Sequence, residues 1–577
     1  MISFLSELLK YIYIEIESIQ LSASFISFMI RKIITLFIIQ MMSLGAVSAQ
    51  HHHKHYTEQD TLRGSITKER VWWDLQHYTL AVEVIPSKKF IKGSNTVAYK
   101  VLEQNQIMQI DLQEPMNITK VVQAEKELVF KRNGNAFFIT LEKEQKKGTL
   151  DSVTVYYEGH PREAVRAPWD GGFTWGKDSE GKDFIATSCQ GLGASVWWPN
   201  KDHMYDEPDH GIRISVEVPQ DLMDVSNGRL IGVDKNKKKK TKTYHWEVVN
   251  PINNYGVNVN IGNYTHFGEK YEGEKGELSL DYYVLKQNLK KAKAQFVQTK
   301  EMMEAFEHWF GPYPFYEDGF KLVEVPYLGM EHQSSVTYGN KYQNGYLGRD
   351  LSHTGWGLKF DFIIIHEAGH EWFANNITNV DIADMWIHES FTAYSESLFV
   401  EYHYGKDAGT EYVRGTRMNI SNDIPVIGDY DVNAEGSGDM YYKGSNMLNT
   451  IRQIVNNDEM WLGMLRGMNK TFYHQTVTTK QIEDFMSKDL KVDLSKVFDQ
   501  YLREKYIPIL EYKVIDNQVM VRFTSCIDEF EMPVDLIINN ENNRVTVTNQ
   551  WSTIETKQKV SSVEIDQNFY IGVAKIQ

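Results

Sequence analysis

Two histidines four residues apart, with a glutamate directly after the first, occur in Ile363-Ile364-Ile365-His366-Glu367-Ala368-Gly369-His370-Glu371-Trp372-Phe373. On a helix, positions i and i+4 share a face, so His366 and His370 can offer imidazole nitrogens to one metal ion. Glu367 lies about 100° round the same turn, where its carboxylate can reach a water on that metal and act as general base. Zinc in a catalytic site takes three protein ligands and keeps one position open. The candidate third ligand is Glu389, 18 residues after His370, in Asp384-Met385-Trp386-Ile387-His388-Glu389-Ser390-Phe391-Thr392-Ala393-Tyr394. Between them, Asn375-Asn376-Ile377-Thr378-Asn379 is rich in turn-formers. That composition predicts that the first helix stops there and a second brings Glu389 back to the metal. Two neutral imidazoles and one carboxylate leave zinc at a net charge of about +1, enough to bring a bound water's pKa to about 7.

Together these residues resemble the zinc aminopeptidases of the aminopeptidase N and leukotriene hydrolase type, a gluzincin metallopeptidase family. Its signature is H-E-x-x-H, 18 residues, then E, with G-x-M-E-N upstream. Leu328-Gly329-Met330-Glu331-His332 is similar to the upstream motif at Gly329, Met330 and Glu331, and departs from it at Leu328 and at His332, where the family has asparagine. Tyr441-Tyr442-Lys443-Gly444 matches the family's Y-x-K-G. The resemblance spans residues 65–510.

The resemblance implies one zinc per chain on His366, His370 and Glu389, with Glu367 as general base and Tyr441 donating a hydrogen bond to the oxyanion. Glu331, beside Gly329 and Met330, would pair with the substrate's free α-amine. Gln190, in Gln190-Gly191-Leu192-Gly193-Ala194-Ser195-Val196-Trp197-Trp198-Pro199, matches the glutamine that shapes the pocket around the first residue. The expected activity is zinc-dependent removal of the N-terminal residue from peptides or proteins. Two alternatives share the zinc residues: a thermolysin-like endopeptidase and an epoxide hydrolase of the leukotriene type. A binding protein on the same fold would normally have lost a zinc or base residue, and all are present. Asp384 and Glu371 are the candidates to orient a zinc histidine. Gly369 within the helix predicts close packing, since glycine there costs about 1 kcal/mol relative to alanine.

The elements that must position these groups follow from periodicity. From Val71 to Tyr264 the pattern is β: Tyr78, Leu80, Val82 and Val84 alternate with Thr79, Ala81 and Glu83. The run Lys237-Lys238-Lys239-Lys240 reads as a solvated hairpin tip. Leu289, Ala292, Phe296, Thr299, Met303, Phe306 and Phe310 then recur at helical spacing until Gly311-Pro312. Phe320 to Val325 reads as a strand that delivers Glu331 on the loop after it, and helical signals dominate through Tyr501. Alternation returns at Val519, Val521 and Phe523.

The expected fold is multidomain α+β. An N-terminal β domain (71–265) precedes a thermolysin-like, mainly helical catalytic domain (266–507) and a short C-terminal β-sandwich (508–577). The family's large helical C-terminal domain is not expected, which would leave the cleft comparatively open.

Length and composition agree with several globular domains: 577 residues, 42% hydrophobic, 24% charged and 12% aromatic. A formal net charge of −16 argues against a nucleic-acid partner, which would require a basic face. Residues 1–49 read as a secretory signal: Met29-Ile30-Arg31-Lys32 is a basic start, Ile33 to Ile39 is mostly apolar, and Ala46-Val47-Ser48-Ala49 is a cleavage site. Starting at Met29 gives ordinary length, so residues 1–28 read as an over-extended translation start. The apolar core is too short for a membrane span. The mature protein is expected to be exported, periplasmic or extracellular, and soluble. Residues 50–70, with His51-His52-His53-Lys54-His55, read as a disordered mature terminus. The two cysteines, Cys189 and Cys526, are too few for a disulfide framework. Oligomeric state and first-residue preference are left open by the sequence.

Overall fold

Strand Trp73–Ile85 buries Tyr78, Leu80, Val82 and Val84 and turns Thr79 and Ala81 to solvent, the alternation of a half-buried strand. It is central in an eight-stranded sheet, parallel to Ile212–Pro219 (Leu80 opposite Ile214) and antiparallel to Phe90–Val101 (Leu80 opposite Asn95). The four lysines form the turn between the paired strands Arg229–Asn236 and Thr241–Val248. A four-stranded sheet carries Asp183–Ser188 next to Asn260–Gly262, and the chain leaves its end directly into Cys189 and Gln190. Trp197 and Trp198 are fully buried and belong to this region's apolar core. The structure, a computed structural model, describes residues 55–577, and the expected export signal lies outside the described residues.

Of the segment 50–70 expected to be disordered, residues 50–54 lie outside the described residues, and the remainder departs from that expectation. Glu58–Gly64 is a helix, opened by a capping box in which Thr57 and Asp60 exchange backbone and side-chain hydrogen bonds. Apolar burial does not hold it, so the search for apolar periodicity missed it. Polar side chains do: Gln59 Oε1 accepts from the Asn135 N–H at 2.8 Å, and Arg70, itself fully buried and paired with Asp111, donates to the Arg63 carbonyl. Cys189 and Cys526 are both free, the first buried.

The catalytic region has its own five-stranded sheet, Tyr264–Gly273, Gly276–Leu285, Phe320–Glu324, Val336–Tyr338 and Gly329–Met330 in that spatial order. The expected single helix after residue 288 is two, Leu289–Gln295 and Gln298–Phe310, separated at Phe296–Val297. Gly311, at φ 92°, ends the second. Helices Phe362–Gly369, Trp386–Tyr404 and Tyr442–Val455 share one apolar core with this sheet. Strands beyond Ile509 form a four-stranded and a three-stranded sheet. Their inward residues, among them Leu510, Phe523, Val534 and Leu536, join that core. Among the described residues no helix is long and apolar enough to cross a membrane.

Candidate active site

The motif helix, Phe362–Gly369, is buried on every face, so its apolar residues Ile363, Ile364 and Ile365 fix it in the core rather than on the surface. Asp361 caps it, accepting from the Ile363 N–H, and is itself held by Tyr338, Asn340 and Gln295. The helix ends earlier than the turn-formers at 375–379 suggest. After His370 the chain makes a wide turn in which Phe373 and Ala374 leave helical geometry, Ala374 at φ 151°. This break turns the Phe373 carbonyl back to His370 Nδ1, 3.0 Å away, where it accepts the ring N–H.

Glu389 stands in the first turn of helix Trp386–Tyr404. Its Oε2 lies 3.6 Å from His366 Nε2 and 3.4 Å from His370 Nε2. These three ligating atoms fall within 4.8 Å of one another, and all three residues are buried. Glu396, not Asp384 or Glu371, orients the first histidine: its Oε1 accepts from His366 Nδ1 at 2.7 Å. Its other oxygen accepts from Tyr412 at 2.6 Å. Asp384 instead accepts from Thr479 and Tyr430, and Glu371 from Tyr313 and the Ser334 N–H. Thr392 Oγ1 adds a contact to His370 Nδ1 at 3.0 Å. With Nδ1–H engaged on both rings, each Nε2 keeps its lone pair free for a metal.

The residues present fit a zinc ion. Two ligands at about 2.05 Å in tetrahedral geometry stand about 3.4 Å apart, close to the separations found. Glu389 Oε2 is buried with no hydrogen-bond partner, an orphan that a cation would satisfy. Burial pushes Glu367 up to about 7, with His366 opposing and Glu331 adding to the rise, and burial likewise raises Glu331. A cation between them would offset the burial of these carboxylates.

Glu331 follows the short strand Gly329–Met330. Its Oε1 accepts from Gln190 Nε2 at 2.5 Å and from the Tyr255 hydroxyl at 3.2 Å, and Gln190 also donates to Glu389 at 3.2 Å. Glu331, Glu367 and His370 offer ligating atoms within 4.8 Å of one another. Gly329 makes this approach possible, because a Cβ there would stand 2.6 Å from Ile363 and 3.3 Å from Glu367 Cγ. Met330 is buried in the N-terminal core and His332 is buried beside Thr337.

Tyr441 immediately precedes helix Tyr442–Val455 and stacks on the His366 ring, centroids 5.9 Å apart and planes 24° apart. Its hydroxyl is held well above the usual phenol range by burial and then by Glu389, Glu331, Glu435 and Glu367. The Tyr442 hydroxyl is also raised by burial, but its acidic neighbour is Glu396 rather than Glu389, Glu331 or Glu367. Gly444 lets this helix press on the Glu389 helix, since a Cβ would fall 1.7 Å from Ser390 Oγ. Gly369 packs in the same way against Ser395 Oγ. The structure thus brings His366, His370, Glu389, Glu367, Glu331, Gln190 and Tyr441 together around one point. Sequence reasoning missed Glu396, Thr392 and Tyr255. Glu396 alone carried a signal, seven residues and about two turns beyond Glu389 on the same helix face.

Two family domains match the chain: the Peptidase M1 N-terminal domain over residues 75–255 and the Peptidase family M1 domain over residues 294–501. The chain belongs to peptidase family M1. It is 24% identical over 287 residues to leukotriene A-4 hydrolase of Xenopus laevis, covering 47% of this chain and 44% of that protein. To aminopeptidase N of Lactobacillus helveticus it is 22% identical over 478 residues, covering 77% of this chain and 52% of that one. The chain therefore spans about half the length of the curated relatives it matches. The M1 zinc metallopeptidase of Deinococcus radiodurans shares the fold, with a TM-score of 0.65 at 18% identity over 76% of this chain and 95% of that one. A variant of the Deinococcus enzyme has been crystallised with a Tyr-Ser-Ala substrate.

Proposed function

We propose that this M1 chain is a zinc-dependent aminopeptidase that hydrolyses the first peptide bond of peptides or proteins. The carrying observation is the position of Glu331. A buried carboxylate within 4.8 Å of the Glu367 and His370 ligating atoms is an anchor for an ammonium group one residue from the reacting bond. An endopeptidase has no use for it. His366, His370 and Glu389 would hold the metal, which supplies Lewis acidity to the carbonyl oxygen and to water. Glu331, aligned by Gln190 and Tyr255, pairs with the α-ammonium and so registers the chain. Glu367 takes the proton of the attacking water as its oxygen bonds to the carbonyl carbon. Tyr441 donates a hydrogen bond to the oxyanion that develops. When the C–N bond breaks, Glu367 returns the proton to the departing amine.

We also propose that the C-terminal strands pack as a β-sandwich, and that the signal-like residues 29–49 direct export, so that the protein acts on peptides outside the cytoplasm once the signal is cleaved near Ala49. A panel of aminoacyl fluorophores, each with a free or an acetylated amine, tests the activity with and without a chelator. Cleavage only of free amines, lost to the chelator and restored by zinc, is expected. Glu331→Ala should keep its zinc and lose kcat/KM by about 30- to 5,000-fold, because removing the partner of a desolvated charge costs about 2–5 kcal/mol. Equal cleavage of acetylated substrates would establish an endopeptidase instead.

A further inference from the structure

Helix Glu58–Gly64 lies before the first matched family residue, 75, yet it touches both the residue after Gln190 and the loop that precedes Tyr441. Arg63 Nη1 donates to the carbonyl of Gly191, the residue after Gln190, at 3.1 Å. The Asn433 N–H donates to the Asp60 carbonyl at 3.2 Å, and Asn433 Nδ2 reaches the same Gly191 carbonyl at 3.4 Å. Gly64 approaches so closely that a Cβ would stand 2.1 Å from the Val432 carbonyl carbon. The helix therefore straps the segment that carries Gln190 to the loop that leads into Tyr441.

Under this strap lies a cavity of about 30 Å³. Gln190 and Tyr255, the two groups that hold Glu331, line it. Arg63, Asp202, Met204 and Ile382 also line it. Arg63 is fixed rather than swinging, with Nε 3.3 Å from Asp202 Oδ2 and Nη1 on Gly191. Gly193 is shaped for that pair: at φ 83°, its Cβ would meet both Arg63 Nη2 and Asp202 Oδ2 at 2.3 Å. A substrate's first side chain leaves the α-carbon one bond from the amine that Glu331 would bind, and this cavity is lined by the two groups that hold Glu331. A space of this size holds about one water or a methyl group.

We infer that the strap, through Arg63, closes the far end of the first-residue pocket and restricts the enzyme to small first residues, alanine ahead of leucine and phenylalanine. This rests on the aminopeptidase reading. The test compares the zinc-loaded full chain with Arg63→Ala and the milder Arg63→Gln on alanyl, leucyl and phenylalanyl fluorophores. Gln59→Ala, which loosens the strap without lining the cavity, separates the strap's hold from the Arg63 side chain itself. The parent should prefer alanyl by tenfold or more, since a pocket discriminates by about 10- to 200-fold per methylene. Arg63→Ala should raise the phenylalanyl-to-alanyl kcat/KM ratio at least tenfold, and Arg63→Gln and Gln59→Ala should raise it less. Calorimetry with free L-alanine and L-phenylalanine on the same proteins reads pocket size without turnover.

A parent that hydrolyses nothing but binds alanine over phenylalanine would overturn the activity and leave the pocket standing. Parental phenylalanyl turnover equal to alanyl would overturn the pocket and leave the activity. So would an unchanged ratio in both Arg63 variants with zinc retained, or binding of neither amino acid.

Discussion

Glu396 is the residue through which zinc affinity is most directly tested. Its Oε1 is 2.7 Å from His366 Nδ1, with side chains 0% and 8% exposed, so solvent does little to screen the pair. Glu396→Gln retains the shape but loses the charge. Its amide oxygen can accept from His366 only if the NH₂ faces Tyr412, whose hydroxyl can rotate to accept. One hydrogen bond to His366 then survives, and zinc should bind about 10-fold more weakly, ~1.4 kcal/mol. Glu396→Ala leaves the imidazole N–H unpaired and the ring free to tilt, so the loss should reach about 100-fold, ~2.8 kcal/mol. Asp384→Asn, at a carboxylate that touches Thr479 and Tyr430 rather than a histidine, should leave zinc affinity as it is. The assay is competition for zinc against a chelator of known affinity. Parental affinity in both Glu396 variants, with a weakened Asp384→Asn, would refute the assignment.

Tyr441→Phe should lower kcat by about 10²–10³-fold with little change in KM, as loss of one oxyanion donor does. Tyr442→Phe should behave like the parent, and steady-state kinetics on the two zinc-loaded variants will show whether the Y-x-K-G register is right. Gly444→Ala drives a Cβ to within 2.5 Å of Ser390 Cβ, so it should destabilise the chain by about 1–3 kcal/mol in chemical denaturation. Gly438→Ala, with nothing within 4 Å, serves as its comparison. Burial pushes His203 down to about 3 while its Nδ1 accepts from the Tyr205 N–H and its Nε2 faces the Gly64 carbonyl. The unfolded chain then binds the extra proton below its ordinary value of about 6.5, so stability falls as pH drops beneath that point, by up to about 1.4 kcal/mol per unit. His203→Gln should flatten this part of the profile between pH 6.5 and 5, measured as the difference from the parent.

How much of this was legible depends on where each partner lies along the chain. The zinc triad was readable because helix geometry fixes what four residues' separation means, and a second helix returns Glu389 after 18. The N-terminal β pattern was readable because period-two burial survives in the sheet, at Tyr78, Leu80, Val82 and Val84. Orientation within the site was not. Asp384 and Glu371 are nearer in sequence to a zinc histidine than Glu396, but each faces other partners, and only the packing of two helices decides which acid meets His366 Nδ1. The helix end was misplaced for a related reason. Turn-formers at 375–379 describe where a chain tolerates a bend, whereas the break at Phe373–Ala374 is imposed by the carbonyl that His370 needs.

The strap was hidden most completely. Its contacts run from Arg63 to Gly191 and from Asp60 to Asn433, across more than a hundred residues, and they are made by ordinary polar side chains and backbone. Polar composition alone argued for disorder, because disorder is the default when no apolar face can offset the entropy of ordering. Here the offset comes from satisfied hydrogen bonds and a buried ion pair on a surface that the rest of the chain has already built. A segment of this kind can be recognised only after that surface exists.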